Sequence, residues 1–257
     1  MIKFLLERVG DNLVFPDERV IIDAQDYAAW RQARFIIKYS NDDGSIPNFQ
    51  HPEDFTPIGS IEFVHEYVKR YFPNHVESLR PLNVPEELLP FAGREIVNIP
   101  LAGMNDNEIH KALKSFPSQL YVKSNYVIKD EHNGPAYNLL GVPCYGCQVS
   151  GYVPQIFSEW RIFVFKGEVQ QACYYAGDPL IFPDTGRIMN MVEAYTKAPV
   201  AYTLDVFTAP TKNWDGVERT ETYVMECHKF YSVGLYGFAD YSKLPYMYSQ
   251  TFYEMTH

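Results

Sequence analysis

The chain has 257 residues, 46% hydrophobic and 21% charged, which excludes a disordered polypeptide and allows one large domain or two to three small ones with a real core. Aromatics reach 16%, with 20 Tyr and 17 Phe, a bias toward sheet with packed rings. Acidic residues outnumber basic ones 32 to 22, for a net charge of -10, so a diffuse nucleic-acid-binding surface is excluded while small local basic pockets are not.

The opening M-I-K-F-L-L-E-R is too short an apolar run for a signal h-region and predicts a buried strand over Ile2–Leu6. No run approaches the ~18–20 apolar residues of a membrane span, so a cytoplasmic protein without a membrane or nucleic-acid partner is expected. Cys144, Cys147, Cys173 and Cys227 read as free thiols, and C-Y-G-C at 144–147 lacks the second ligand pair a zinc site needs. A strand is predicted over 20–23, 27–37 has ambiguous periodicity, and 40–56 is a loop rich in Asn, Asp, Gly and Pro. Ser60 caps a helix carrying Ile61, Val64, Val68 and Phe72 at helical spacing, and Pro73 stops it. Residues 81–90 read as a linker. These form a first unit, 1–95.

The second unit, 96–153, starts with a strand at Ile96–Ile99. Asn105 with Glu108 is an N-cap signature for a helix with Ile109, Leu113 and Phe116 on one face. A strand over 120–123 ends in Lys123, Lys129 follows, Asn133–Gly134–Pro135 reads as a turn, and 148–153 closes the unit.

The third unit, 154–257, opens with F-S-E-W-R-I-F-V-F at 157–165. Trp160, Ile162 and Val164 point one way; Glu159, Arg161, Phe163 and Phe165 point the other. Lys166–Gly167 makes a hairpin turn into a strand over 168–175. Asp184 caps a helix with Ile188, Met191, Val192 and Tyr195 inward, ended by Pro199. Strands over 200–208 and 219–227 pair across the turn at 213–216, which brings Asp205 opposite the Glu226 region. In T-E-T-Y-V-M-E-C-H-K-F, Tyr223 and Met225 alternate with Val224 and Glu226, and period two puts Glu226 and His228 on one face. Acid and imidazole at a strand end beside a Gly-punctuated loop suit a metal or phosphate site; a solvated edge strand would carry the same spacing. Residues 241–253 are aromatic and predict a terminal helix.

V-M-E-C-H-K-F followed by G-L-Y-G-F resembles the final metal-binding strand of the ATP-grasp superfamily, in a form similar to its viral, phage-borne members. Three further motifs recur in the family's order: L-Y-V-K at 120–123, S-E-W-R-I-F-V-F-K-G-E-V at 158–169 and T-L-D-V at 203–206, with P-I-G-S-I-E-F-V at 57–64 a less specific addition. The resemblance implies an α+β, ATP-grasp fold, a pre-domain plus two subdomains enclosing ATP. It implies an ATP- and Mg2+-dependent carboxylate–amine (or thiol) ligase working through an acyl phosphate. It implies a carboxylate substrate and an amine acceptor as partners, with a peptide, a protein tail and a metabolite all open as the target.

By this resemblance Lys123 and Arg161 stabilise the transferred phosphoryl group. Lys129, Ser150, Gly151, Tyr152, Val153, Glu159, His228 and Lys229 are further nucleotide-site candidates, and Asp205, Glu226 and His228 are metal candidates. The sequence departs from the family pattern in three places. His228 stands where Asn is usual, the phosphate loop keeps one glycine, and V-S-G-Y-V lacks the hinge acid that takes the ribose. Two alternatives stay open: a phosphotransferase built on the same grip, and a non-catalytic protein keeping the fold. For Arg161 a cross-strand ion pair with Glu159 or a neighbour stands against the phosphate role.

Overall fold

Apolar residues on both faces of the first strand set up the N-terminal layer. In β1 (Ile2–Leu6), Phe4, Leu5 and Leu6 are fully buried, as a strand covered on both faces requires. A short hairpin of β2 (Arg8–Val9) and β3 (Asn12–Leu13) follows. Parallel neighbours flank β1: β4 (Phe35–Tyr39) on one side and β5 (Phe55–Ile58) on the other. The computed structural model describes residues 2–14, 20–21, 35–117, 119–131, 133–136, 146–212 and 216–257. The strand expected at 20–23 is corrected where it is described: Val20 and Ile21 are helical, since a short apolar run fits either element. Cys144 and most of the turn at 213–216 lie outside the described residues.

Ser60 opens α1 (Ile61–Tyr71) by accepting from the Phe63 amide at 3.1 Å. Phe63, Val64, Tyr67 and Val68 pack with Leu5 and Phe55 of the first sheet and with Phe252 and Met255 near the C-terminus.

Residues 81–90 form a buried strap, which corrects the linker reading. Val84 and Leu88 sit in the core of the third sheet. The Cys227 amide donates to the Asn83 carbonyl at 2.7 Å, while Gln148 bonds both the Val84 amide and its carbonyl. Proline content suggested a spacer; long-range contacts, which composition does not encode, tie it down.

The second sheet is antiparallel throughout. Its strands are β6 (Ile96–Ile99), β7 (Leu120–Ser124), β8 (Gly134–Ala136) and β9 (Cys147–Gly151), in the order β6-β9-β7-β8. The expected Asn105–Glu108 capping box opens α2 (Asp106–Ala112). Gly134–Pro135, expected as a turn, belongs to β8; proline is tolerated there because β8 is an edge strand.

The third sheet is also antiparallel, ordered β11-β10-β12-β13 from β10 (Ser158–Phe165), β11 (Glu168–Gly177), β12 (Ala201–Lys212) and β13 (Glu218–Lys229). Lys166 and Gly167 both take positive φ, 54° and 74°, matching the twist of a two-residue hairpin. α3 (Thr185–Ala194) starts at Asp184 as expected but ends at Ala194, before Pro199. One face of this sheet, with Trp160, Ile162, Val164, Leu204 and Val224, packs on α3 and the strap. The other face presents Phe163 and Ala201 to Phe4 and Leu6 of β1 and to Met247 and Tyr248 of α4 (Leu244–Thr256). No helix among the described residues is long and apolar enough to cross a membrane.

One irregularity positions the site. Asp205 pairs with Glu226 but Val206 pairs with Val224, so Met225 is the extra residue of a β-bulge. The expected alternation of Met225 against Glu226 is thereby corrected. Val224 and Cys227 enter the core, while Met225 and Glu226 both line the cleft between the second and third sheets.

Candidate functional site

Three neighbouring strands present one row of charge. Arg161 on β10 is the register partner of Asp205 on β12, and Asp205 that of Glu226 on β13. Arg161 forks onto Asp205, Nε to Oδ1 at 2.8 Å and Nη2 to Oδ2 at 2.6 Å, and its Nη1 donates to the Gly234 carbonyl at 3.1 Å. The ion pair weighed for Arg161 therefore exists, but with Asp205 and not with Glu159. Lys123, from β7 across the cleft, pairs with Glu226. His228 Nε2 lies 3.5 Å from Asp205 Oδ2 and 3.6 Å from Glu226 Oε1.

The electrostatics follow from burial and pairing. Burial pushes both carboxyls up, but hydrogen bonds and charge from Arg161 and His228 hold Asp205 below its usual range. His228 and Lys123 outweigh burial in the same way and hold Glu226 well below. Burial pulls His228 down, yet its bonds to the two carboxylates lift it to about 9. Arg161, Lys123 and His228 thus surround the two carboxylates.

Asp205, Glu226 and His228 each offer a ligand atom, all within 4.8 Å of one another. Two carboxylates suit a hard oxygen-seeking cation that also takes oxygens from a substrate phosphate, whereas the imidazole is a poorer ligand for it. The donor set therefore fits Mg2+ through Asp205 and Glu226.

The cleft beside this row has a volume of about 260 Å³. Of the candidates, Lys123, Ser150, Gly151, Tyr152, Val153, Glu159 and Glu226 all line it. The amides of Gly151 and Tyr152 are engaged by the Glu95 and Gln119 carbonyls at 3.0 and 3.1 Å. Glu159 supplies, from β10, a carboxylate in the same cavity as 151–153, where the sequence of the hinge shows none.

Two candidates do not join the group. Lys129 is exposed in a turn with φ of 56° and does not line the cleft. Lys229 points away from Glu226, as alternation past His228 dictates; it donates to the Ser78 carbonyl and lines a separate cavity of about 30 Å³ with Arg80, Leu82 and His228.

Several cleft residues, Arg94 foremost, escaped the sequence reading. Arg94 lines the cleft and donates to the carbonyls of Ala92 and Val224, at 3.0 and 2.8 Å, and of Met225 at 3.0 Å. Burial pulls it down to about 10, and nearby Glu226 opposes that. Its only signal was a lone arginine before a strand. Tyr121 and Gln148 also line the cleft and could have been found by period two from Lys123 and Ser150.

Comparison with known proteins bears on this geometry. A family model described as an ATP-grasp domain matches residues 91–244. Comparison with curated proteins gives no match. Among solved structures, D-alanine–D-alanine ligase from Bacillus anthracis is similar with a TM-score of 0.52 at 14% identity, covering 99% of each chain. The ATP-grasp ligase PsnB complexed with a minimal precursor gives 0.49 at 10% identity, over 96% of this chain and 99% of that one. D-cycloserine synthetase DcsG gives 0.47 at 12%, covering 100% of both. With the family model spanning more than half of its length, this chain has the ATP-grasp fold and belongs to the ATP-grasp superfamily.

Proposed function

We propose that the protein is an ATP- and Mg2+-dependent ligase joining a carboxylate to an amine. The observation that carries this reading is the Arg161–Asp205–Glu226 row across three strands, whose Glu226 end lines the cleft where Lys123 meets it from the other side. The base lies against Val153, Ile156, Phe207 and Met225, and Glu159 takes the ribose hydroxyls. Arg94 and Lys123 meet the phosphates along one wall. Arg161, at the far end, shares its guanidinium between Asp205 and the terminal phosphate, where a planar fork suits phosphate oxygens better than an ammonium does.

Asp205 and Glu226 would hold Mg2+, with His228 Nε2 lying between the two carboxylates. The ion, when bound, offsets charge on the phosphate oxygens. A substrate carboxylate oxygen attacks the terminal phosphorus, the bond to the bridging oxygen breaks, and ADP leaves. The amine then attacks the acyl carbon, loses a proton, and releases inorganic phosphate. The residues contribute position and charge, which is what such a transfer needs.

The acceptor reaches the centre from the His228 side. There the small cavity at Arg80 and Val233 shares Ile61 and Ile128 with an open trough along α1. An open trough suits a peptide or protein end as acceptor. The likeness of 224–238 to viral members supports a viral branch, and a cytoplasmic setting supplies the nucleotide.

Incubation with ATP, Mg2+ and sets of amino acids and peptides tests the reading. Release of ADP and free phosphate, with an amide product lighter than its two substrates by one water, is expected. A phosphorylated acceptor without free phosphate would identify a phosphotransferase. Absence of ADP release with every acceptor would leave the non-catalytic alternative.

A further inference from the structure

Arg161 is only 8% exposed, and two aromatic rings help to cover it. The Tyr236 ring centroid stands 4.9 Å from the guanidinium carbon and that of Tyr175 stands 5.9 Å from it. The two rings stack on each other at 5.1 Å with 28° between planes. We infer that Tyr236 and Tyr175 form an aromatic bracket that positions the Arg161 guanidinium, which makes the loop of residues 234–239 part of the phosphate-handling apparatus; the phosphate role rests on the nucleotide reading above.

Several features hold this bracket together. Tyr236 keeps a left-handed φ of 45°, a conformation that costs a non-glycine residue free energy and is retained where surroundings enforce it. Gly234 makes room: a Cβ there would meet the Tyr236 ring at 2.9 Å. Gln171 on β11 clamps the loop from both sides, donating to the Gly237 carbonyl at 3.1 Å and accepting from the Ala239 amide at 2.8 Å. Tyr175 joins the bracket to the cleft wall, its hydroxyl donating to Met225 Sδ at 3.7 Å. Asp205 and the Gly234 carbonyl take three of its N–H groups and the two rings lie beside it, so the guanidinium has little freedom to swing. An aromatic face over a partly desolvated cation contributes enough to do this.

Tyr236 is 51% exposed, so replacing it spares the core. The probes are Mg-ADP and the Mg complex of the non-hydrolysable β,γ-imido analogue of ATP, titrated calorimetrically into the full chain. Tyr236→Phe, which keeps the ring, should match wild type for both. Tyr236→Leu, which keeps bulk but no π face, should bind the triphosphate analogue about tenfold more weakly and ADP unchanged. Equal affinities in all three proteins, equal loss of both nucleotides in Tyr236→Leu, or a phenylalanine variant as weak as the leucine one would each overturn the bracket.

A second measurement needs no nucleotide. Water exchange of the Arg161 Nε proton, followed by NMR, should be slow in wild type and Tyr236→Phe and faster in Tyr236→Leu. Identical exchange in all three would overturn the bracket as well. Wild type binding neither nucleotide would sink the nucleotide reading, and the exchange rates would still decide the bracket.

Discussion

The second and third sheets face one cleft, yet they hold their charges in opposite ways. In the third sheet the charged row sits on strands of 8 and 12 residues, with the bulge at Met225 beside it, and each carboxylate already has a basic partner on that sheet. The second sheet brings strands of five residues, β7 and β9, and sets Lys123 across the cleft on Glu226. The third sheet is preorganised, with its charges fixed before anything binds. The second supplies groups whose partner is on another layer, so that their positions depend on how the layers meet. Damage should therefore cost folding on one side and binding on the other.

The sharpest way to break that contrast is Asp205→Ala. It strands Arg161 as a buried cation without a carboxylate, and stability should fall by about 3–5 kcal/mol. Urea unfolding measures it, and a loss under about 1 kcal/mol would mean that the row is not fixed beforehand. Next comes Arg94→Met, which leaves buried carbonyls of Ala92, Val224 and Met225 without their donor. Leaving a buried acceptor unpaired costs about 1–3 kcal/mol, so a drop of that order is expected in the same assay, with weaker nucleotide binding.

Acid sharpens the contrast further. Glu226 is held well below its ordinary value of 4.5 in the fold. A depressed folded pKa gives stability that is present above the unfolded pKa and is lost as pH falls toward the folded one. The wild type without ligand should therefore lose stability below about pH 4.5, and Glu226→Gln should lose less over the same range. Parallel pH curves for the two proteins would contradict the pairing. The smallest effect belongs to Lys129→Ala. That residue is exposed and outside the cleft, so stability should stay within about 0.5 kcal/mol and nucleotide affinity should not change.

The same contrast explains what could be read from the chain. Period two sufficed for Arg161 against Trp160 and for Glu226 with His228, because long strands keep their alternation over many residues. The Asp184, Ser60 and Asn105 caps were legible because a cap is local chemistry within four residues. The bulge at Met225 was not, since an extra residue in one strand shows only against its partner. Arg94 and the strap were missed for a related reason: Asn83 meets Cys227, and Gln148 meets Val84, across more than sixty positions of chain. Lys229 stands apart from the charged row because its side chain follows the opposite face to Ser78, which the run E-C-H-K alone does not show.

The most direct test is calorimetric titration of ATP, with and without Mg2+, into wild type and Glu226→Gln. The account predicts Mg2+-dependent binding to wild type that Glu226→Gln loses while remaining folded. Binding of equal affinity in both proteins, or binding indifferent to Mg2+, would contradict it.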